Sequence, residues 1–161
     1  MATAIDRSLV VLSLELQGEP FAIETSHVRE ILDPVPVTLL PGADPAVNGV
    51  INVRGRVVPL ADLRLIFGMP QLAAGADARI VVIEVEIDGD PVIVGIRADK
   101  VSEVTELAAD SLEATPRIGL RWAPEFITCI GKRNGAFVAV LDMGRIFSRL
   151  VTQACATPPA A

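Results

Sequence analysis

Two aspartates, Asp62 and Asp142, stand at corresponding places in the two halves of this chain. A symmetric carboxylate pair can share one proton, as in the aspartic-protease dyad. The local context points elsewhere. Each Asp directly precedes a short segment with helical spacing, 63–67 or 143–147, and neither is followed by the Thr/Ser-Gly such proteases use. A carboxylate there accepts a backbone N–H left open by the first helical turn. Both read as helix caps. His27 is the only histidine, too few for a metal cluster, and no Ser or Cys partner is placed for it by spacing. It reads as a surface or cap residue. Cys129 lies between Thr128 and Ile130 in an apolar run and reads as a small buried hydrophobe. Gly42, Gly49 and Gly55 are too widely spaced for a phosphate-binding loop, and no Gly-Lys-Ser/Thr occurs. The sequence therefore predicts no enzyme, no cofactor and no metal.

The elements around these residues are mostly strands. Leu12, Leu14 and Leu16 alternate with Ser13 and Glu15, and Ile83, Val85 and Ile87 alternate with Glu84 and Glu86. Period-two alternation predicts strands with one buried face. Turn pairs follow, Gly18-Glu19 after the first and Asp88-Gly89 after the second, with return strands at 21–23 and 92–96. Two further hairpins are predicted, 47–53 with 56–60 and 126–132 with 136–141, the latter turning at Asn134-Gly135. Segments 62–67 and 142–150 have helical spacing. The proline-rich segment 34–45 reads as an extended loop with at most one short strand.

The chain repeats itself. Residues 47–67 lie over 127–147 without a gap, bringing Gly55 onto Gly135, Val58 onto Val138, Asp62 onto Asp142 and Phe67 onto Phe147. Residues 12–23 lie over 83–94, with Gly18 on Gly89 and Pro20 on Pro91. After a two-residue slip, Val28-Arg29-Glu30-Ile31 meets Val101-Ser102-Glu103-Val104. The prediction is a mainly β protein of two small tandem barrels related by a pseudo-two-fold repeat. One lobe spans about 8–71 and the other about 79–150, within a single domain over 8–150. The small-residue segment 72–77 links them, and the aperiodic tail 151–161 is expected to be disordered. A lobe of half this length has a marginal core, so the two should pack together. Asn48-Gly49 looks like a hairpin turn, but its counterpart Thr128-Cys129 does not. It is placed instead at a strand entry or a bulge, where Gly permits close backbone approach.

Composition narrows the function. Of the 161 residues 51% are hydrophobic, enough for a core and against wholesale disorder. The net charge of −6 comes without any Lys/Arg block, which argues against nucleic acid and against a polybasic membrane surface. Apolar runs break well before 18 residues, so no membrane insertion is expected. The two cysteines form no metal or redox motif, and a reducing cytoplasm fits them. Arg54, Arg56 and Arg64 cluster at the first-lobe hairpin, with Lys132, Arg133 and Arg145 in the second. They form either a solvated face or an arginine anchor for a partner. Glu30 is placed to pair with Arg54.

The stretch Phe21-Ala22-Ile23, Val28-Arg29-Glu30-Ile31-Leu32, Leu40-Pro41-Gly42-Ala43 and Val47-Asn48-Gly49-Val50-Ile51-Asn52-Val53-Arg54-Gly55-Arg56-Val57-Val58-Pro59-Leu60-Ala61-Asp62-Leu63-Arg64 resembles the CheW-type chemotaxis coupling proteins. Val101-Ser102-Glu103-Val104 and Phe126-Ile127-Thr128-Cys129-Ile130-Gly131 extend the resemblance over roughly 8–150. It implies two five-stranded SH3-like barrels around a shared apolar groove and a scaffold without catalysis. It implies two partners: the cytoplasmic tip of a methyl-accepting chemoreceptor and the regulatory domain of a CheA-type histidine kinase. The receptor-facing set would be Val28, Glu30, Ile31, Arg54, Val101 and Val104. The kinase-facing neighbourhood would be Cys129, Ile130, Gly131, Lys132 and Arg133. Such a protein is cytoplasmic and recruited to membrane-associated arrays. Two residues depart from the family pattern: Cys129 stands where Gly is usual, and Trp122 is not a family feature. The rival reading is a barrel module binding a small ligand or another partner in the groove between the lobes.

Overall fold

A computed structural model describes residues 8–42, 45–47, 49–69, 75–114, 124–133 and 135–156. The first repeat supplies β1 (Leu9–Leu16), β2 (Glu19–Glu24), β3 (Val28–Leu32), β4 (Thr38–Leu39), β5 (Gly49–Val53), β6 (Arg56–Ala61) and the short helix α1 (Leu63–Ile66). The second supplies β7 (Arg79–Ile87), β8 (Asp90–Ala98), β9 (Lys100–Leu107), β10 (Leu112–Glu113), β11 (Ile127–Arg133), β12 (Ala136–Leu141) and α2 (Met143–Ala156). Helix α2 covers 151–156, which the sequence placed in a disordered tail. The helical spacing of 142–150 runs on into Val151 and Ala154, with no Gly or Pro before Pro158 to stop it.

Tight turns close the hairpins. Gln17 and Gly18 have φ of 54° and 77°, and Asp88 and Gly89 have 52° and 84°. Two successive positive φ values are the mark of the type I′ turn, whose twist suits a two-residue hairpin. The first turn is thus one residue earlier than the expected Gly18-Glu19, because Gly fills the second left-handed position. Gly49 lies at the start of β5, the first of the two places expected for it. A Cβ there would come within 2.5 Å of Val37 Cγ1.

The strands form two six-stranded sheets, ordered β10-β11-β12-β2-β1-β9 and β3-β7-β8-β6-β5-β4. Each has five longer strands and a two-residue strand at one edge. Exchanging the repeats turns one order into the other, so the pseudo-two-fold relation holds at the level of topology. The expected lobes, 8–71 and 79–150, do not coincide with the sheets. Each sheet joins the first hairpin of one repeat to the remaining strands of the other. The joins are parallel on one side of each hairpin, Ala139 with Phe21 between β12 and β2 and Leu60 with Gly95 between β6 and β8, and antiparallel on the other, between β1 and β9 and between β7 and β3.

The exchange accommodates the apolar residues on both faces of β1 and β7. Leu12, Leu14 and Leu16 on β1 and Val81, Ile83, Val85 and Ile87 on β7 meet in one central core between the sheets. Their other faces are apolar too at the start of each strand. Leu9 and Val11 fill the interior of one sheet with Cys129 and Val140. Ile80 and Val82 fill the other with Ile51 and Leu60. One-face burial therefore fails for the outer half of each strand. A strand with two apolar faces needs a core on both sides, and the exchange provides it. Leu63 and Phe67 at α1 and Met143, Ile146 and Phe147 on α2 close the central core. Phe67 stacks on Phe21 at 5.6 Å between ring centroids. Burying each such side chain contributes roughly 1.5–3 kcal/mol.

Candidate partner-binding site

Strand β3 is an edge strand pinned to β7, and its register carries a bulge. Val28 pairs with Ile83 and Glu30 with Val82, leaving Arg29 as the extra residue. Such a bulge re-aims the side chains that follow it. Val28 stays packed against the central core, while Ile31 beyond the bulge is 44% exposed. Glu30 Oε2 accepts a hydrogen bond from Arg54 Nε at 3.1 Å. Arg29 pairs with Glu84 at 3.5 Å.

Arg54 occupies the first left-handed position of the β5–β6 turn, with φ of 51° followed by 82° at Gly55. Asn52 Oδ1 holds the turn by accepting the Gly55 N–H at 2.8 Å. Asn, Asp or Gly takes such a position at low cost, and a long side chain does not. Arg54 projects there with its side chain 80% exposed. Beside it lies a cleft of about 400 Å³, walled by Val53, Val58, Val82 and Ile93 and rimmed by Arg29, Glu30, Arg54 and Arg56.

Strand β9 is the counterpart edge in the other sheet, pinned to β1. Val101 pairs with Leu14, and Val104 pairs with Leu12 across a second bulge. Val101 packs against the same central core as Val28. Val104 is 61% exposed. The six expected receptor-facing residues thus divide between the sheets. Val28, Glu30, Ile31 and Arg54 belong to one, and Val101 and Val104 to the other, with Val28 and Val101 bordering one shared core.

The second predicted neighbourhood is corrected in part. Cys129 is fully buried, and burial, followed by the charge of Glu24, pushes its thiol up to about 11. Gly131 is also buried, and a Cβ there would meet Leu107 Cδ1 at 2.7 Å. Neither presents a side chain to a partner, because alternate β11 residues point into the sheet interior. Ile130 is half-buried against the central core. Lys132 is exposed, while Arg133 ends β11. Across the hairpin from Lys132 lies Phe137, 59% exposed. Its counterpart eighty residues earlier, Val57, is 77% exposed. Sequence reasoning missed both, because the neighbouring Val58 and Val138 are also apolar and hide the alternation. The gapless repeat was the available signal.

Arg64 does not share the exposed face expected with Arg54 and Arg56. Its side chain is 4% exposed. Nε and Nη2 donate to the two oxygens of Asp62 at 3.0 and 2.9 Å, and Nη1 lies 3.6 Å from Asp99 Oδ1. The hydrogen bond to Asp62 raises the guanidinium pKa against the opposing effect of burial. Both aspartates are caps. Asp62 Oδ1 accepts the Arg64 N–H at 3.1 Å and Asp142 Oδ1 the Arg145 N–H at 3.0 Å. His27 Nδ1 lies 3.3 Å from the Glu84 carbonyl oxygen. Trp122 and Asn134 lie outside the described residues. Among the described residues, no three His, Cys, Asp or Glu side chains group to hold a metal, and no helix is long and apolar enough to cross a membrane.

The family model of the CheW-like domain matches residues 10–151. The chain belongs to the CheW-like domain family. It is 30% identical over 137 residues to the chemotaxis protein CheW of Klebsiella aerogenes, covering 85% of this chain and 80% of that one. It is 26% identical over 138 residues to the chemotaxis protein CheW of Bacillus subtilis, covering 86% of each. The scaffolding protein TtCheW of Thermoanaerobacter tengcongensis superposes with a TM-score of 0.76 at 25% identity, over 86% of this chain and 92% of that one. The two sheets match the two SH3-like barrels of that CheW structure.

Proposed function

We propose that this protein is a chemotaxis scaffold that joins the cytoplasmic tip of a methyl-accepting chemoreceptor to the regulatory domain of a CheA-type histidine kinase. Chemotaxis is in the names of its relatives, and the structurally similar TtCheW is named a scaffolding protein. The single observation that carries the receptor assignment is the Glu30–Arg54 pair. An exposed ion pair adds only about 0–1 kcal/mol to stability. This one holds an arginine outward at a left-handed turn position, which the hairpin requires but which the fold alone gives no reason to fill with arginine. Recognition supplies the reason. The apolar edges around Val28, Ile31, Val101 and Val104 suit the apolar face of a receptor helix, and Arg54 sets its register.

The kinase reading rests on Lys132 and Phe137 at the β11–β12 end. An exposed aromatic beside a cation is the composition of an interface anchor. In this reading the protein performs no chemistry. It works in the cytoplasm and reaches the membrane through its receptor. The test is a pull-down against a receptor signalling tip and a kinase regulatory domain from the same cell. Wild type retains both, and Val104→Asp loses the receptor while keeping the kinase. Retention of neither partner by wild type sinks the coupling reading.

A further inference from the structure

The most enclosed charge cluster among the described residues lies away from the exposed site. Arg64, on α1, is gripped by Asp62 and reaches Asp99. Asp99 is the single residue between β8 and β9, where the chain crosses from one sheet to the other. It is itself fixed by the first hairpin of the opposite sheet. Asp99 Oδ2 accepts the Gln17 N–H at 2.7 Å, and the Asp99 N–H donates to the Glu15 carbonyl at 3.0 Å. The network therefore runs from the helix behind one sheet, through the crossover, to a turn of the other.

The repeat shows that this link is not a requirement of the fold. Eighty residues on from Arg64 stands Gly144, which has no side chain to offer. The residue that the repeat sets against Asp99 is Ser26. The second capping aspartate instead pairs with Arg145, on an exposed surface. One of the two pseudo-equivalent crossovers is clamped by charge and the other is not. The clamped one opens directly into β9, two residues before Val101.

We infer that Arg64 is a positioning residue for the groove: by holding Asp99 it fixes the start of β9, and with it Val101 and Val104, relative to the sheet that carries Glu30 and Arg54. This rests on the reading of the groove as the receptor site. A buried ion pair is a poor source of stability compared with apolar packing, but it fixes geometry. A helix that touches both edges at once depends on their spacing.

The experiment measures that spacing without a partner. Spin labels are placed at the exposed positions Ile31 and Val104, as I31C and V104C in a C155A background, with Cys129 too buried to label. Distances are read in wild type, Asp99→Asn and Arg64→Met. Asp99→Asn keeps an oxygen for Gln17 and leaves the Arg64–Asp62 pair and the helix cap intact. In both variants the protein should stay folded by circular dichroism. The label distance should shift or broaden by about 2 Å or more. In unlabelled protein, affinity for the receptor tip should fall about tenfold, while kinase-domain binding holds. An unchanged distance in both variants overturns the inference. So does failure of both to fold, since the network would then be a folding requirement. A changed distance with undiminished receptor binding supports the clamp and overturns instead the reading of the groove.

Discussion

Glu30 and Arg54 lie 24 residues apart in sequence, yet Oε2 of one stands 3.1 Å from Nε of the other, tying an edge strand to a hairpin turn. Arg54 is in the left-handed region, where most side chains are strained. Stability and recognition therefore favour different residues at this position. Asn is the natural turn residue, and it is what the repeat places in the other hairpin, at position 134. Arg54→Asn should leave stability unchanged or raise it by about 0.5–1 kcal/mol, after losing an exposed ion pair of similar size. Receptor binding should fail. Urea unfolding and a receptor pull-down on the same preparation separate the two effects. A marked loss of stability would make Arg54 a structural residue.

Val101 and Val104 belong to one set by sequence but differ in structure. Val104 is largely exposed, whereas Val101 is packed against the central core. Val104→Asp should keep the melting temperature and lose the receptor. Val101→Asp places a carboxylate at the edge of an apolar core and should cost about 1–3 kcal/mol besides. Thermal melts of the pair decide this. Equal melts would mean Val101 is not packed as described.

What was legible in the sequence was local, and what was not depends on which strands and side chains the fold brings together. Helix caps at Asp62 and Asp142 could be read because capping is local, a matter of one side chain and the next turn. The Glu30–Arg54 pair could be proposed from the charges clustered at the first-lobe hairpin. The exchange of hairpins could not, because period-two alternation shows which face of β1 is apolar but not which sheet it joins. Nor could the burial of Arg64. Its spacing beside Arg54 and Arg56 suggested one exposed cluster, whereas the two-oxygen grip of Asp62 makes its burial tolerable and Asp99, distant in sequence, adds a second carboxylate. Cys129 was read correctly as a buried hydrophobe from its strand. The resemblance then placed it in a contact set that its burial excludes.

The two capping aspartates should respond differently to the same change. Asn caps about as well as Asp. Asp142→Asn therefore loses only its exposed pair with Arg145 and should stay within about 0.5 kcal/mol of wild type. Asp62→Asn also strips the main counter-charge from buried Arg64, leaving Asp99 at 3.6 Å. It should cost about 3 kcal/mol. Chemical denaturation of the two variants side by side checks the difference. Equal costs would mean Arg64 does not depend on its carboxylate.

Phe137 tests the kinase end. Its ring is exposed opposite Lys132, so Phe137→Ser removes little from the core and should change stability by about 0.5 kcal/mol or less. Kinase-domain binding should weaken by at least about 2 kcal/mol if Phe137 is an anchor, and receptor binding should persist. Titration calorimetry with each partner reads both. Undiminished kinase binding would move that interface elsewhere.

The Cys129 thiol makes stability depend on alkaline pH in a defined direction. Its folded pKa is raised from 9.0 to about 11, chiefly because burial disfavours the thiolate. The folded state thus keeps a proton that the unfolded chain releases. The resulting contribution is whole below pH 9 and disappears as pH rises through 11. Between these limits wild type should lose roughly 2–3 kcal/mol more than a Cys129→Ala variant, in which that titration is absent. The chain contains no tyrosine, and its lysines are the same in both proteins, so the difference isolates the thiol. Denaturation midpoints at half-unit steps from pH 8 to 11 measure it. The same burial should keep Cys129 unreactive toward a maleimide in the native protein at pH 8 and expose it on unfolding. Parallel stability curves for the two proteins, or rapid native-state labelling of Cys129, would show that the thiol is not enclosed with Val11, Val138 and Val140 as the structure places it.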